Sequence, residues 1–158
     1  MKKGFTIVEL IVAMAIIFVL LAVVLVNVNP IKNQNSAKDV KRISDLNLLE
    51  VAINAYRVDN KNYPDTVNVL RISTQLPSGN TQIENVSSGW IDQDMTGYLS
   101  RLPTDPVNDS IYHYSYIHSQ TGYEINAKLE SLPEQMQNDG GNDPNVYEVG
   151  NILTLISP

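Results

Sequence analysis

Three features of the chain predict an α+β fold: an unbroken apolar run near the N-terminus, a stretch of helical periodicity after it, and a later stretch that alternates with period two. Together they describe a long N-terminal α-helix, hydrophobic in its first half, packed against a small C-terminal antiparallel β-sheet.

From Leu10 to Val26 every side chain is apolar, and Phe5, Ile7 and Val8 extend the run upstream past Glu9. That length suits a bilayer crossing. A carboxylate in hydrocarbon is costly unless partnered, so Glu9 marks a functional site whose counter-charge should be named. The candidate is the α-amino group that a cut after Gly4 would release. A secretory signal peptide would carry a small-residue cleavage site after its apolar core, and Asn27-Val28-Asn29-Pro30-Ile31 contains none. A plain membrane anchor suits the composition but gives no reason for the acid.

Beyond Pro30, Val40, Ile43, Leu46, Leu49, Ile53 and Tyr56 recur every three or four residues, with Lys41, Asp45, Asn47 and Asn54 between them. This is helical spacing. The pattern predicts one helix from about Thr6 to about Val58, loosened near residues 27–30 because proline removes a backbone donor and crowds the preceding turn. Asp59 to Pro64 then ends it with turn-forming residues. The segment 65–109 reads as a short helical turn followed by loops, with Trp90 either a packing anchor over them or an exposed contact to another subunit, packing being favoured. From Ile111, Tyr112, Tyr114, Tyr116 and His118 alternate with Ile111, His113, Ser115 and Ile117; after Ser119–Gly122 the alternation resumes at Tyr123, Ile125, Ala127 and Leu129. A β-hairpin over 111–129 follows. A polar loop from Glu130 to Asn145 precedes one or two final strands. The resulting divisions are 1–4, 5–28, 29–60 and a globular domain over 61–158, within which 65–109 is loop and 130–158 is the C-terminal loop and strands.

The chain has 158 residues and a formal net charge of −6, which becomes −8 once Lys2 and Lys3 are removed with residues 1–4. An acidic exterior argues against binding a nucleic-acid backbone, so Tyr112, Tyr114, Tyr116 and Tyr123 read as sheet packing rather than base-stacking platforms. Lys32, Lys38, Lys41 and Arg42 form the one basic cluster, placed to touch lipid headgroups. The positive-inside tendency puts the Lys2-Lys3 end in the cytoplasm and the domain outside it. No cysteine is present, so no disulfide staples the domain. Catalytic motifs are absent too, and His113 and His118, five apart on one strand, project from opposite faces. The chain does not read as an enzyme.

Met1-Lys2-Lys3-Gly4 followed by Phe5-Thr6-Ile7-Val8-Glu9 resembles the type IV pilin superfamily, in which a short basic leader ends in glycine before a hydrophobic helix. The resemblance extends toward the G-type major pseudopilins of type II secretion through Ser44-Asp45-Leu46, Leu49-Glu50, Tyr56, Asp59-Asn60, Tyr63-Pro64, Gly97-Tyr98-Leu99, Arg101-Leu102-Pro103 and Asp105-Pro106. Pro30, about one helical turn late, and a long loop before Gly97 depart from that pattern. The resemblance implies a pilin fold, cleavage between Gly4 and Phe5 by a prepilin peptidase, N-methylation of Phe5, and a Glu9 that neutralises a neighbour's amino terminus in a homo-oligomeric helical filament. It also implies an inner-membrane assembly platform and minor pilins as partners, membrane lipid around the helix before assembly, and a pilus or pseudopilus at the cell surface or envelope afterwards. The other reading is a single-pass membrane-anchored extracytoplasmic binding domain that never polymerises. G-type pseudopilins hold calcium in the C-terminal loop, and Asn138-Asp139-Gly140-Gly141-Asn142-Asp143-Pro144 offers hard oxygen ligands there. Asp139, Asn142 and Asp143 are the candidates, with backbone carbonyls completing the six to eight oxygens calcium takes; a solvated turn has the same composition.

Overall fold

The computed structural model describes residues 4–27 and 30–158, excluding the side chains of residues 24–27. Its elements are α1 (Ile7–Asn27), α2 (Pro30–Asn60), β1 (Arg71–Ile72), β2 (Tyr114–His118), β3 (Tyr123–Ala127), α3 (Pro133–Gln137) and β4 (Tyr147–Gly150). The chain divides into two compact units, one ending at Gln34 and one running Asn35–Pro158. The loosening expected near residues 27–30 falls in part on residues 28 and 29, which lie outside the described residues; α1 ends at Asn27 and α2 begins at Pro30. Pro30 opens α2, where its missing N–H is one of the donors a helix start leaves unpaired anyway. At the far end Lys61 takes a left-handed conformation, φ 64°, and its N–H returns to Arg57 O at 3.0 Å.

The sheet has the order β1-β2-β3-β4 with every pair antiparallel. Tyr114 lies opposite Ala127, Tyr116 opposite Ile125 and His118 opposite Tyr123, so these six share one face. Leu46, Leu49, Ala52 and Ile53 of α2 join that face in a single buried core with Trp90, Ile91, Met95 and Leu102. Polar atoms inside it are paired: the Tyr114 hydroxyl donates to Asp45, and Trp90 Nε1 donates to Pro103 O at 2.9 Å. Trp90 is therefore the packing anchor its composition predicted.

Four expectations change. Val40 is 60 % exposed, whereas Asp39 and Arg42 are fully buried; an ion network takes the place assigned to apolar residues. Residues 71–72 form an edge strand and not part of a helical turn, because β2 needs a partner for its open edge. Within the predicted polar loop, 133–137 is a short helix with proline at its start. Residues 152–156 form no strand, since the N–H groups of Leu155 and Ile156 bond to Glu124 Oε2 at 2.7 and 3.0 Å. That segment covers the second face of β3, which explains why Tyr123–Ala127 is buried at all five positions instead of alternating.

Candidate processing and assembly site

Thr6 and Glu9 build the start of α1 together. Thr6 N–H and Thr6 Oγ1 both donate to Glu9 Oε2, at 2.9 and 2.8 Å, and Glu9 N–H donates back to Thr6 Oγ1 at 3.2 Å. This reciprocal pairing is a capping box, which satisfies donors that a helix N-terminus otherwise leaves open. The Thr-x-x-Glu spacing was available in the sequence as a cap signal, and Thr6 is the site residue that attention to Glu9 alone misses. Because both bonds fall on Oε2, Oε1 keeps no partner among the described residues. Upstream, Phe5 is 82 % exposed and the Gly4 Cα has nothing within 4 Å of where a side chain would start. Gly4 and Phe5 are thus both exposed.

Around this acid, Val8, Ile11, Val12, Ile16, Phe18, Val19 and their neighbours are exposed along α1. An apolar surface of that length marks a partner or a membrane. Among the described residues, no helix is long and apolar enough to cross a membrane.

Three of the four residues of the basic cluster, Lys38, Lys41 and Arg42, pair with acids of the domain. Arg42 Nε and Nη2 donate to both carboxylate oxygens of Asp105 at 2.6 and 3.1 Å, while Nη1 donates to Asp39 at 2.8 Å and Glu130 at 3.0 Å. Lys38 pairs with Glu130 and Lys41 with Asp45. Asp39 also accepts the N–H groups of Glu130 and Ser131, and Asp105 those of Val107 and Asn108. The Asp105-Pro106 stretch and the turn after β3 are thereby tied to α2 through one guanidinium.

At the C-terminal loop, Asp139 and Asp143 use their carboxylates on nearby N–H groups. Asp139 accepts from Gly141 and Glu148, both at 2.8 Å, and Asp143 from Asn145 at 2.9 Å, while the Asn142 amide reaches Ile156 O at 3.5 Å. No three His, Cys, Asp or Glu side chains among the described residues are grouped to hold a metal. Beneath the loop, on the sheet face turned away from α2, lie Glu124, Asn126 and Glu148, all buried. Sequence reading passed over them because acids at alternate positions in a period-two run normally face solvent. Burial pushes the Glu148 carboxyl up to about 7; the Asp143 N–H opposes this, and the adjacent Glu124 carboxyl and the Asp139 charge add to it.

A cleft of about 540 Å³ is lined by Tyr56, Tyr63, Asp65, Gln93 and His118 among others, but both His118 ring nitrogens lie against carbonyl oxygens. Asp65 is held by Arg71 and by the N–H groups of Thr66 and Asp92. His113, off the strand, contacts Asp109 O, so the two histidines do not meet.

Comparison with known proteins bears on this arrangement. Residues 29–147 match the family described as type II secretion system (T2SS), protein G, and residues 1–25 match the prokaryotic N-terminal methylation motif. The chain belongs to the type II secretion system protein G family. A core protein G of this system from Pseudomonas aeruginosa is 31% identical over 150 residues, covering 95% of this chain and 94% of its own. Similar core proteins G from Klebsiella pneumoniae (35% over 105 residues, 66% and 69%) and Vibrio cholerae (31% over 114 residues, 72% and 71%) match shorter stretches. No solved structure matches. In this protein G chain the methylation motif spans Gly4, Phe5 and Glu9, the residues singled out above.

Proposed function

We propose that this protein is a structural subunit of a type II secretion pseudopilus, cleaved after Gly4, methylated on the Phe5 nitrogen and polymerised through its hydrophobic helix. The observation that carries the reading is the capped Glu9: a carboxylate with one oxygen engaged and the other without a partner among the described residues, set in an exposed apolar helix a few residues from exposed Gly4 and Phe5. Cleavage converts the Phe5 nitrogen to an ammonium. Glu9 of one subunit then accepts that charge from a neighbour, which sets the axial register as apolar helices pack on one another. An unpaired charge within the bilayer is costly, so pairing also favours leaving lipid for the filament.

Before assembly the subunit is a single-pass membrane protein with its domain outside the cytoplasm, in keeping with Lys2 and Lys3 on the cytoplasmic side. Its partners are other copies of itself, the prepilin peptidase and methyltransferase, an inner-membrane assembly platform and minor pilins; afterwards it resides in an envelope pseudopilus. Calcium closes the C-terminal region in place of a disulfide. Mass spectrometry of protein recovered from cells with an active peptidase tests processing: a chain beginning at methylated Phe5 is expected, and an intact Met1 terminus contradicts the proposal.

A further inference from the structure

The 540 Å³ cleft lies within the second compact unit, and its volume falls in the roughly 300–1,000 Å³ range of small-molecule sites. Stretches far apart in sequence supply its walls: Tyr56 and Asn62 around the end of α2, Gln93 from the loop between β1 and β2, and Gln120 from the β2–β3 turn. Its floor is fixed. The Tyr116 hydroxyl donates to Pro64 O at 2.9 Å, the Tyr63 hydroxyl accepts from Asn151 Nδ2 at 3.2 Å, and the His118 ring sits between the Asp65 and Ser119 carbonyl oxygens at 3.0 and 2.9 Å. The rim is different. Among the described residues, the amides of Asn62, Gln93 and Gln120 and the Tyr56 hydroxyl make no hydrogen bond within the protein. A site whose floor is already ordered loses little freedom when a ligand settles on it.

The lining disfavours a charged ligand. No lysine or arginine lines the cleft to receive a phosphate or a carboxylate. Its one acid, Asp65, has its carboxylate taken by Arg71 Nε and Nη2 at 2.8 and 2.7 Å and by the N–H groups of Thr66 and Asp92, so little charge is left for a cation. An extended peptide is poorly served as well, because such a ligand takes its backbone bonds from an open strand edge. The strand at this cleft, β2, is flanked by β1 and β3, and His118 O already accepts the Asn68 N–H at 2.8 Å.

We propose that this cleft binds a neutral oligosaccharide. An amide presents donors and an acceptor side by side, which matches two adjacent hydroxyls of a sugar ring, each able to give one hydrogen bond and take another. Tyr56 supplies the complementary surface, since the C–H face of a pyranose carries partial positive charge and packs on the electron-rich face of an aromatic ring. That ring is half buried and braced by Tyr98, with centroids 5.4 Å apart and planes at 62°. The three amides then select hydroxyl positions around the edge. This role is separate from filament assembly and goes beyond it.

The test uses the full chain in a zwitterionic detergent that has no sugar headgroup, labelled with 15N so that the side-chain amide signals of Asn62, Gln93 and Gln120 report on the cleft. The probes are β-1,4-linked tetrasaccharides of glucose, mannose and N-acetylglucosamine, an α-1,4-linked tetrasaccharide of glucose, and an uncharged hexapeptide. Saturable shifts of those three amides with at least one tetrasaccharide are expected. The double variant Asn62→Ala/Gln93→Ala should weaken binding at least ~10-fold with its melting midpoint unchanged, and Gln82→Ala, at an exposed position outside the cleft, should bind as wild type does. Tyr56→Leu should lose more affinity than Tyr56→Phe, which keeps the ring. Preference for the N-acetylated probe points to a cell-wall glycan and preference for a plain one to a polysaccharide from outside the cell; either supports the proposal. No binding of any tetrasaccharide at ~10 mM overturns it, as does binding that the double variant and Tyr56→Leu leave intact. Shifts of the same amides by the hexapeptide and by no sugar overturn it in favour of a peptide site.

Discussion

Replacing Arg42 with methionine should be among the most damaging single changes in the domain. The guanidinium makes four charge-assisted bonds to Asp39, Asp105 and Glu130, and the side chains of Arg42, Asp39 and Asp105 are all 0 % exposed. Methionine fills much of the volume but leaves three carboxylates facing one another out of water. Breaking a buried pair by removing one partner typically costs about 3–5 kcal/mol, a large part of the roughly 5–15 kcal/mol that holds a domain together. At about 4 °C per kcal/mol for a domain of this size, the melting midpoint should fall by roughly 12–20 °C. Trp90, buried beside Pro103, supplies a fluorescence signal for the melt. The internal control is Arg101→Ala, which breaks the exposed 3.3 Å pair with Glu84 and should cost no more than about 1 kcal/mol. Adding Asp105→Asn to Arg42→Met should recover part of the loss, because the two sites are coupled. If Arg42→Met melts within a few degrees of Arg101→Ala, the network is not the clasp described here.

Two further substitutions probe local geometry. Thr6→Val removes the hydroxyl that both donates to and accepts from Glu9, and should cost the start of α1 about 1 kcal/mol, read as faster amide exchange over residues 7–10 with the rest of the protein unchanged. Gly150→Ala would bring a Cβ to 2.2 Å from Tyr123 O; since that neighbour is backbone, β3 and β4 must part, and a loss of about 1–3 kcal/mol is expected in denaturant unfolding.

The period-two run placed the hairpin, and the three-and-four spacing of Leu46, Leu49 and Ile53 picked out residues that are all buried. What periodicity could not show was charge in the core. Arg42 and Asp39 occupy positions that pattern assigns to solvent, and their partners Asp105 and Glu130 lie more than sixty residues away in sequence. Only three-dimensional pairing makes such burial tolerable, and no local pattern records it. The same reason hid Glu124 and Glu148, which become interior because the chain after Gly150 turns back over β3 instead of adding a strand. A two-residue edge strand such as β1 is too short to show alternation. At the N-terminus the signal is local: the Thr6–Glu9 cap follows from the Thr-x-x-Glu spacing, and Gly4, Phe5 and Glu9 fall within the matched methylation motif.

In cells carrying the secretion system, cross-linking between neighbouring copies of wild type and Glu9→Gln tests the filament account most directly. Glutamine keeps an acceptor for the Thr6 cap while removing the charge, so the helix start survives and only the pairing with a neighbour's ammonium is lost. The account predicts a ladder of oligomers for the wild type, and for Glu9→Gln a protein that is still inserted and cleaved but forms a weak ladder or none. An undiminished ladder from Glu9→Gln would contradict it.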